Sequence, residues 1–360
     1  MSDDSAFNIL VIFMFSTDYR LFFEQILNID CTTGREYEIG KILSQLHTEK
    51  KYRVHKQAVE TNRNNIFAFA NTNSEKRVLF TSHIDTVPPH LKFRHDQQTD
   101  CYYGRGACDT KGGIIAMLMA AEELIKRDYV IDFLWVIGEE TDHIGAKQAV
   151  HYYETELTDH YQYQMVILCE PTGMKLAAAQ KGILKAQLKF SGKMAHSGFP
   201  ELGNDANRKL IEVSHLLYQK SAELTDEIYG SLDINIGLIT GGQAANVVSG
   251  TSELTFLARS NSNHQKFREY VQSFESTDVT INWVSDHEPI KFDHINPDLL
   301  NEQYIAKFNT DVVFLSRIAP VYLIGPGDII HAHSDNEHIY VKDIELGAER
   351  YCDLVRRVIQ

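Results

Sequence analysis

Leu79-Phe-Thr-Ser-His-Ile-Asp-Thr-Val-Pro88 decides the reading of this chain. An apolar strand is expected from Arg77 to Thr81. It leads into His83 and Asp85, just before Pro88 and Pro89. In α/β proteins the carboxyl ends of strands are where ligands bind. A histidine there points its imidazole into the crevice, and an aspartate two residues on lies on the same side of an extended chain. The Asp85 carboxylate is therefore expected to accept a hydrogen bond from the second ring nitrogen of His83. That would fix its tautomer, as carboxylates behind metal-bound histidines do.

A lone His-x-Asp is explained as easily by a histidine satisfied at a strand end. Four further acidic or histidine signals follow it, each at the end of an apolar run. They are Gly104-Arg-Gly-Ala-Cys-Asp109-Thr-Lys-Gly-Gly113, Gly138-Glu139-Glu140, Cys169-Glu170-Pro171 and His331-Ala-His333-Ser-Asp335. Such a series points to one shared site.

The chain has 360 residues, enough for one large domain or two ordinary ones, and its 43% hydrophobic content can build a sizeable core. A formal net charge of −14 without a long basic run argues against nucleic acid and anionic membranes as partners. The five cysteines (Cys31, Cys101, Cys108, Cys169 and Cys352) are odd in number and scattered. They read as small buried residues in a reducing compartment, the cytoplasm, and not as a disulfide framework or zinc knuckle. Phe7 to Phe15 is a short apolar run after Asp3 and Asp4. It is too short to span a bilayer and lacks a positive leader, so it reads as an added strand or an extension, with Met14 an alternative start.

Along the chain, Tyr19, Phe22, Phe23, Ile26 and Leu27 recur at helical spacing, and Glu36 to Leu46 reads as a second helix. Three strands follow: Tyr52 to Val59, Asn65 to Ala70 and Arg77 to Thr81. Gly112 to Ile125 is a helix. Its glycines match neither a dinucleotide fingerprint nor a P-loop, and they read as a device for close packing beside the crevice. Ile131-Asp-Phe-Leu-Trp-Val-Ile137 and Gln164 to Leu168 are buried strands of a parallel sheet, with a helix from Gly145 to Tyr153 between them.

Near Lys181 the pattern changes to half-wet strands. Strand Leu184 to Phe190, helix Asp205 to Leu224, strands Ser231 to Ile239 and Ser252 to Ala258, helix His264 to Phe274 and strand Val279 to Val284 give the order β-α-β-β-α-β. The expectation is therefore a doubly wound, mainly parallel catalytic domain at 1–180 and 288–360. A ferredoxin-like unit is inserted at 181–287. Buried α/β patterns return at Val312 to Leu315 and Val321 to Ile324, and a helix closes the chain from Asp343 to Val358.

His83, Asp109, Glu140, Glu170 and His333 are the candidate ligands. Two imidazoles and three carboxylates suit Zn2+, with Co2+ or Mn2+ able to substitute. Five ligands are too many for one catalytic zinc, which uses three and keeps a position for water. Two Zn2+ sharing a carboxylate use the set naturally. Asp109 is the best bridge, with His83 and Glu170 on one ion and Glu140 and His333 on the other. Glu139, beside a ligand, is then free to act as general base and later general acid.

The runs His83-x-Asp85, Gly104-Arg-Gly-x-x-Asp109-x-Lys-Gly, Gly138-Glu-Glu140, Glu170-Pro-Thr and Ala332-His333 resemble the di-zinc amidohydrolases. These include acetylornithine deacetylase, succinyl-diaminopimelate desuccinylase, aminoacylase and glutamate carboxypeptidase. Ala195-His-Ser-Gly198, Tyr322-Leu-Ile-Gly-Pro-Gly327 and Ala332-His-Ser-Asp-Asn-Glu337 are most similar to the plant and fungal acetylornithine deacetylase-like proteins.

The resemblance implies that Asp85 orients His83 and that the Asp109–Thr110 peptide is cis. It implies that His196 reaches the partner subunit's active site and stabilises the oxyanion, and that Asn246 and Arg259 hold the substrate carboxylate. It makes the inserted unit a homodimerisation module. It places the activity in amino-acid metabolism and arginine biosynthesis. The loop Thr141-Asp-His-Ile-Gly145 departs from the strictest deacetylase pattern, and His143 there reads as a solvated residue. The leading expectation is hydrolysis of a small N-acyl amino acid of the N-acetylornithine type. The alternative is a di- or tripeptidase or carboxypeptidase acting on short peptides. An inactive binding homologue is the remaining class, and it is disfavoured because no ligand is lost.

Overall fold

The computed structural model describes residues 16–72, 75–300 and 304–359. The apolar run Phe7 to Phe15 and Met14 lie outside the described residues. The chain divides into two compact units. One comprises Met1–Ala177, His294–Glu302 and Thr310–Gln360, and the other Ala178–Asp293 and Gln303–Asn309.

The first unit opens with helix α1 (Thr17–Leu27), capped by the Ser16 hydroxyl, which accepts from Tyr19 N, with Asp18 in the first turn. Helix α2 (Tyr37–Glu49) and strands β1 (Arg53–Glu60), β2 (Arg63–Phe69) and β3 (Arg77–His83) follow. Then come α3 (Gly112–Ile125), β4 (Val130–Val136), α4 (Ile144–Tyr152) and β5 (Met165–Leu168). The sheet runs β1-β2-β4-β3-β5 and ends on the strand Val321–Leu323. The four strands from β4 to Val321–Leu323 are mutually parallel, while β1 and β2 form an antiparallel edge. Every residue of β3 and β4 is buried, which explains their continuous apolar composition.

The terminal helix Val341–Val358 buries Val341, Ile344, Gly347, Ala348, Tyr351, Cys352 and Val355, one stripe at helical period. Gly113 on α3 shows why this helix starts on glycines. A Cβ there would lie 2.0 Å from Cys169 Sγ.

The second unit carries β6 (Gly182–Ser191), α5 (Ala206–Ala222), β7 (Asp233–Gly241), β8 (Thr251–Ser260), α6 (His264–Gln272) and β9 (Val279–His287). Its antiparallel sheet has the order β7-β8-β6-β9, the ferredoxin-like arrangement. Alternate residues of β6 and β8 are buried, as their alternating sequences dictate. Residues 288–293 and 303–309, expected with the catalytic domain, belong here. Ile290 pairs with Gln180, and Lys181 N donates to Ala306 O at 2.8 Å.

Val312–Leu315, read among the buried α/β patterns, is a single helical turn. Three-residue strands at Arg94–Asp96, Cys101–Tyr103 and His338–Tyr340 form a small sheet of their own. Among the described residues no helix is long and apolar enough to cross a membrane.

Candidate active site

The carboxyl ends of β3, β4 and β5 deliver His83, the Glu139–Glu140 pair and Glu170 to one place. His83 Nε2 lies 3.0 Å from Asp109 Oδ1. His333 Nε2 lies 3.3 Å from Asp109 Oδ2 and 3.1 Å from Glu140 Oε1. Asp109 thus turns one oxygen to each histidine. The donor atoms of the five candidate ligands fall into two groups, His83–Asp109–Glu170 and Asp109–Glu140–His333, each with one ligand atom per residue within 4.8 Å of the others, and Glu139, His143 and Asp311 form a third group of the same kind.

The electrostatics are those of a site short of positive charge. Burial pushes the Glu139 carboxyl well above its ordinary value, and the neighbouring Glu170 carboxylate adds to this. Glu170 is raised by burial and then by Asp109. Burial also opposes the charge on Asp109, but hydrogen bonds from His333 and His83 outweigh it and bring that group below its usual value. The same bonds to Asp109 and Glu140 lift His333 to about 10. Glu170 Oε1 is buried without a hydrogen-bond partner. A buried orphan oxygen among like-charged carboxylates is costly unless a cation completes it. Each of the two groups that share Asp109 offers imidazole and carboxylate donors in the number a catalytic zinc uses. The residues therefore fit two divalent ions.

The family profile described as Peptidase family M20/M25/M40 matches residues 79–357. The chain belongs to this peptidase family. A probable carboxypeptidase of Aspergillus clavatus is 30% identical over 94% of this chain and 88% of its own length. A tripeptidase of Staphylococcus aureus superposes with a TM-score of 0.77 at 22% identity, over 93% of this chain and 96% of that one. An aminopeptidase of Bacillus cereus gives 0.75 at 20% identity, over 95% and 98%. These likenesses show the M20 fold, a mainly parallel α/β domain with an inserted unit, and they make the chain a member of a hydrolase family.

Within this M20 site, two expectations need correction. The first concerns Asp85. His83 Nδ1 meets the Asp85 backbone carbonyl at 2.9 Å, whereas the Asp85 carboxylate lies 3.7 Å away. The carboxylate instead accepts from Glu139 N at 3.1 Å, Glu140 N at 3.3 Å and Thr33 Oγ1 at 2.8 Å. It thus holds the backbone of the glutamate pair, and burial pushes it up to about 6. Spacing alone could not separate carbonyl from carboxylate, because a turn in the backbone decides which faces the ring.

The second is His143, which is no solvated loop residue. Its side chain is 12% exposed, and its Nδ1 hydrogen-bonds Asp311 Oδ1 at 2.9 Å and lies 3.8 Å from Glu139 Oε1. Asp311 is remote in sequence and carried no motif.

The Asp109–Thr110 peptide is cis. In the second unit the structure brings His196 and Asn246 onto adjoining loops, where Ser197 N donates to Asn246 O at 3.0 Å and His196 bridges Val247. Both side chains are on exposed residues. Arg259 is not with them. It stands at the far end of β8, opposite Ile183 and Asp233.

Proposed function

We propose that this chain is a two-ion metallopeptidase that hydrolyses the amide bond of short peptides next to a free carboxyl terminus. One observation carries the reading: two ligand groups meet on Asp109, with Glu139 directly beside them. His83 and Glu170 would hold one ion and Glu140 and His333 the other, with zinc the best match to these donors. Bound ions would supply Lewis acidity for the attacking water and the scissile carbonyl.

Glu139 takes the proton of the attacking water and returns it to the leaving amine. The Asp85 carboxylate holds the Glu139 main chain in place. The relatives support the peptidase alternative more than N-acetylornithine deacetylation, since several matched over most of the chain are named probable carboxypeptidases. The arginine-biosynthesis assignment loses its support with the deacetylase reading.

The reading extends to a homodimer built through the second unit. Edge strand β7 exposes Leu238 and Ile239, at 67% and 59%, and α5 exposes Ile211 at 66%. An apolar, unpaired edge and helix face suit an isologous partner. In such a dimer His196 would donate to the oxyanion and Asn246 would meet the peptide carboxylate at the partner's site, while Arg259, at the far end of β8 from both, would reach that carboxylate only from the other subunit. The five buried free cysteines agree with a cytoplasmic home.

A panel of dipeptides, tripeptides and N-acetyl amino acids, assayed with zinc and with cobalt, tests the substrate class. Peptides with a free carboxyl terminus should be cleaved faster than N-acetylornithine. Cleavage of N-acetylornithine with no turnover of any peptide would overturn the reading.

A further inference from the structure

Asp109 must present one oxygen to each histidine, so its backbone has to be placed to a fraction of an ångström. Nothing regular places it. Asp109 and Thr110 have non-helical dihedrals (φ −119°, ψ 87° and φ −136°, ψ 22°) in the turn ahead of α3. Thr110 Oγ1 donates to His83 O at 3.2 Å and Lys111 Nζ to Ile26 O at 2.9 Å, and the main chain up to Asp109 is held by Glu337. Its Oε1 accepts from the main-chain N–H groups of Cys108 at 3.2 Å and Asp109 at 3.1 Å. Its Oε2 takes Arg105 Nη1 at 2.6 Å. Arg105 also donates to Ser334 O and Pro89 O, each at 3.2 Å, and Gly104 N donates to Glu337 O at 3.1 Å.

Arg105 and Glu337 have side chains only 2% and 0% exposed. One buried pair therefore ties together three loops: the one after Asp85, the one carrying Asp109 and the one after His333. A buried ion pair is weak as a source of stability, because desolvation offsets much of its attraction. Its better-attested use is to fix register. Here the register is that of the shared carboxylate against His333.

We infer that Glu337, oriented by Arg105, is the positioning residue that sets Asp109 and the His333 loop in register so that two ions bind as a pair. The inference rests on the two-ion reading. Glu337 touches no proposed substrate atom and acts only through the main chain of Asp109. Losing a partner that orients a ligand typically costs about 10–100-fold in metal affinity.

The test is a titration of metal-stripped protein with Co2+, followed by calorimetry and by the visible absorption of the bound ion. Wild type should take up two ions. Glu337→Met, similar in length but without an acceptor, should bind them about 10–100-fold more weakly. Glu337→Gln keeps an oxygen for the two N–H groups and should recover most of that loss. The control is Asp132→Asn, which breaks a comparably buried pair with Arg77, at the opposite end of β3 from His83. It should lower the melting temperature and leave Co2+ affinity within about twofold of wild type.

Wild-type affinity in both Glu337 variants would overturn the inference alone. So would an equal loss of affinity in Asp132→Asn. If Glu337→Met fails to fold, the Gln variant decides: a several-fold loss with an altered cobalt spectrum supports the inference, and no change overturns it. A wild-type protein that takes up no Co2+ overturns the two-ion reading as well.

Discussion

Strand β3 has a buried charge at each end, about 20 Å apart, and the two ends are built on opposite rules. At the first, Asp132 faces Arg77. Its Oδ1 accepts from Ala70 N at 2.7 Å, and its Oδ2 accepts from Arg77 Nη1 at 2.5 Å and Tyr163 Oη at 3.0 Å. Both oxygens are satisfied and the charges cancel. At the second end, Asp109, Glu139, Glu140 and Glu170 gather around two histidines, and Glu170 Oε1 has no partner. The carboxylates are largely buried at both ends, although His333 at the second is half exposed. What distinguishes a structural charge from a working one is whether the protein finishes the pairing itself. The second end is left to be completed by something from outside.

If that contrast holds, a strong chelator should reduce peptide hydrolysis to background while the far-ultraviolet circular dichroism is kept, and added Zn2+ or Co2+ should restore the rate. Full activity in protein shown by elemental analysis to hold no ions would break the comparison at its root. Next in size is Glu139→Gln. It should lower kcat by about 10²–10⁴-fold with ion content unchanged. Glu140→Gln should instead lose an ion. Equal kcat and equal ion content in both variants would remove the division of roles within the pair.

At the other end, Asp132→Asn leaves Arg77 buried with a weakened partner and should cost about 3–5 kcal/mol by urea unfolding. Its kcat per folded molecule should not change. A large loss of kcat at constant stability would show that the ends are coupled.

The smallest effect sharpens the contrast from within the core. His47 is fully buried and neutral, with Trp135 Nε1 donating to its Nε2 at 2.9 Å. Burial lowers its pKa to about 3, and the charge of Lys50 assists. In the unfolded chain a histidine titrates near about 6.5. Below that pH the unfolded state binds the proton and the folded state does not. This contribution is therefore fully present above pH ~6.5 and is lost as pH falls towards ~3. It amounts to about 2 kcal/mol by pH ~5. His47→Gln, which keeps an acceptor for Trp135 but cannot titrate, should flatten the stability profile between pH 7 and 5 by that amount. An unchanged profile would mean that other groups carry the acid sensitivity.

The parts of this molecule that were legible in its sequence share a physical cause. β3 and β4 are buried on both faces, so they read as unbroken apolar runs. β6 and β8 have one wet face, so they alternate. His83, Glu140 and Glu170 follow the ends of such runs, where strand geometry alone exposes them to a crevice. The rest depends on long-range folding. Thr33, Asp311 and Glu337 join the site across 52, 168 and 228 positions. The strand Cys101–Tyr103 is too short to show any period. His143 looked solvated because its partner is Asp311, which no local pattern announces.

Gly113, Cys169 and Gly325 carry a consequence for how the sequence can change. The Cys169 sulfur lies where side chains at either glycine would have to go, 2.0 Å from a Cβ at position 113 and 2.7 Å from one at 325. Volume at 113 and 169 is one shared quantity, whereas a Cβ at 325 would first meet the Glu170 main-chain carbonyl at 2.4 Å, so that glycine is needed whatever stands at 169. A homologous sequence with alanine at 113 is therefore expected to carry a smaller residue than cysteine at 169. Positions 113 and 169 should vary together or not at all, with 325 held as glycine. A seam packed directly behind the candidate ligand Glu170 would then leave its own covariation signature across the family.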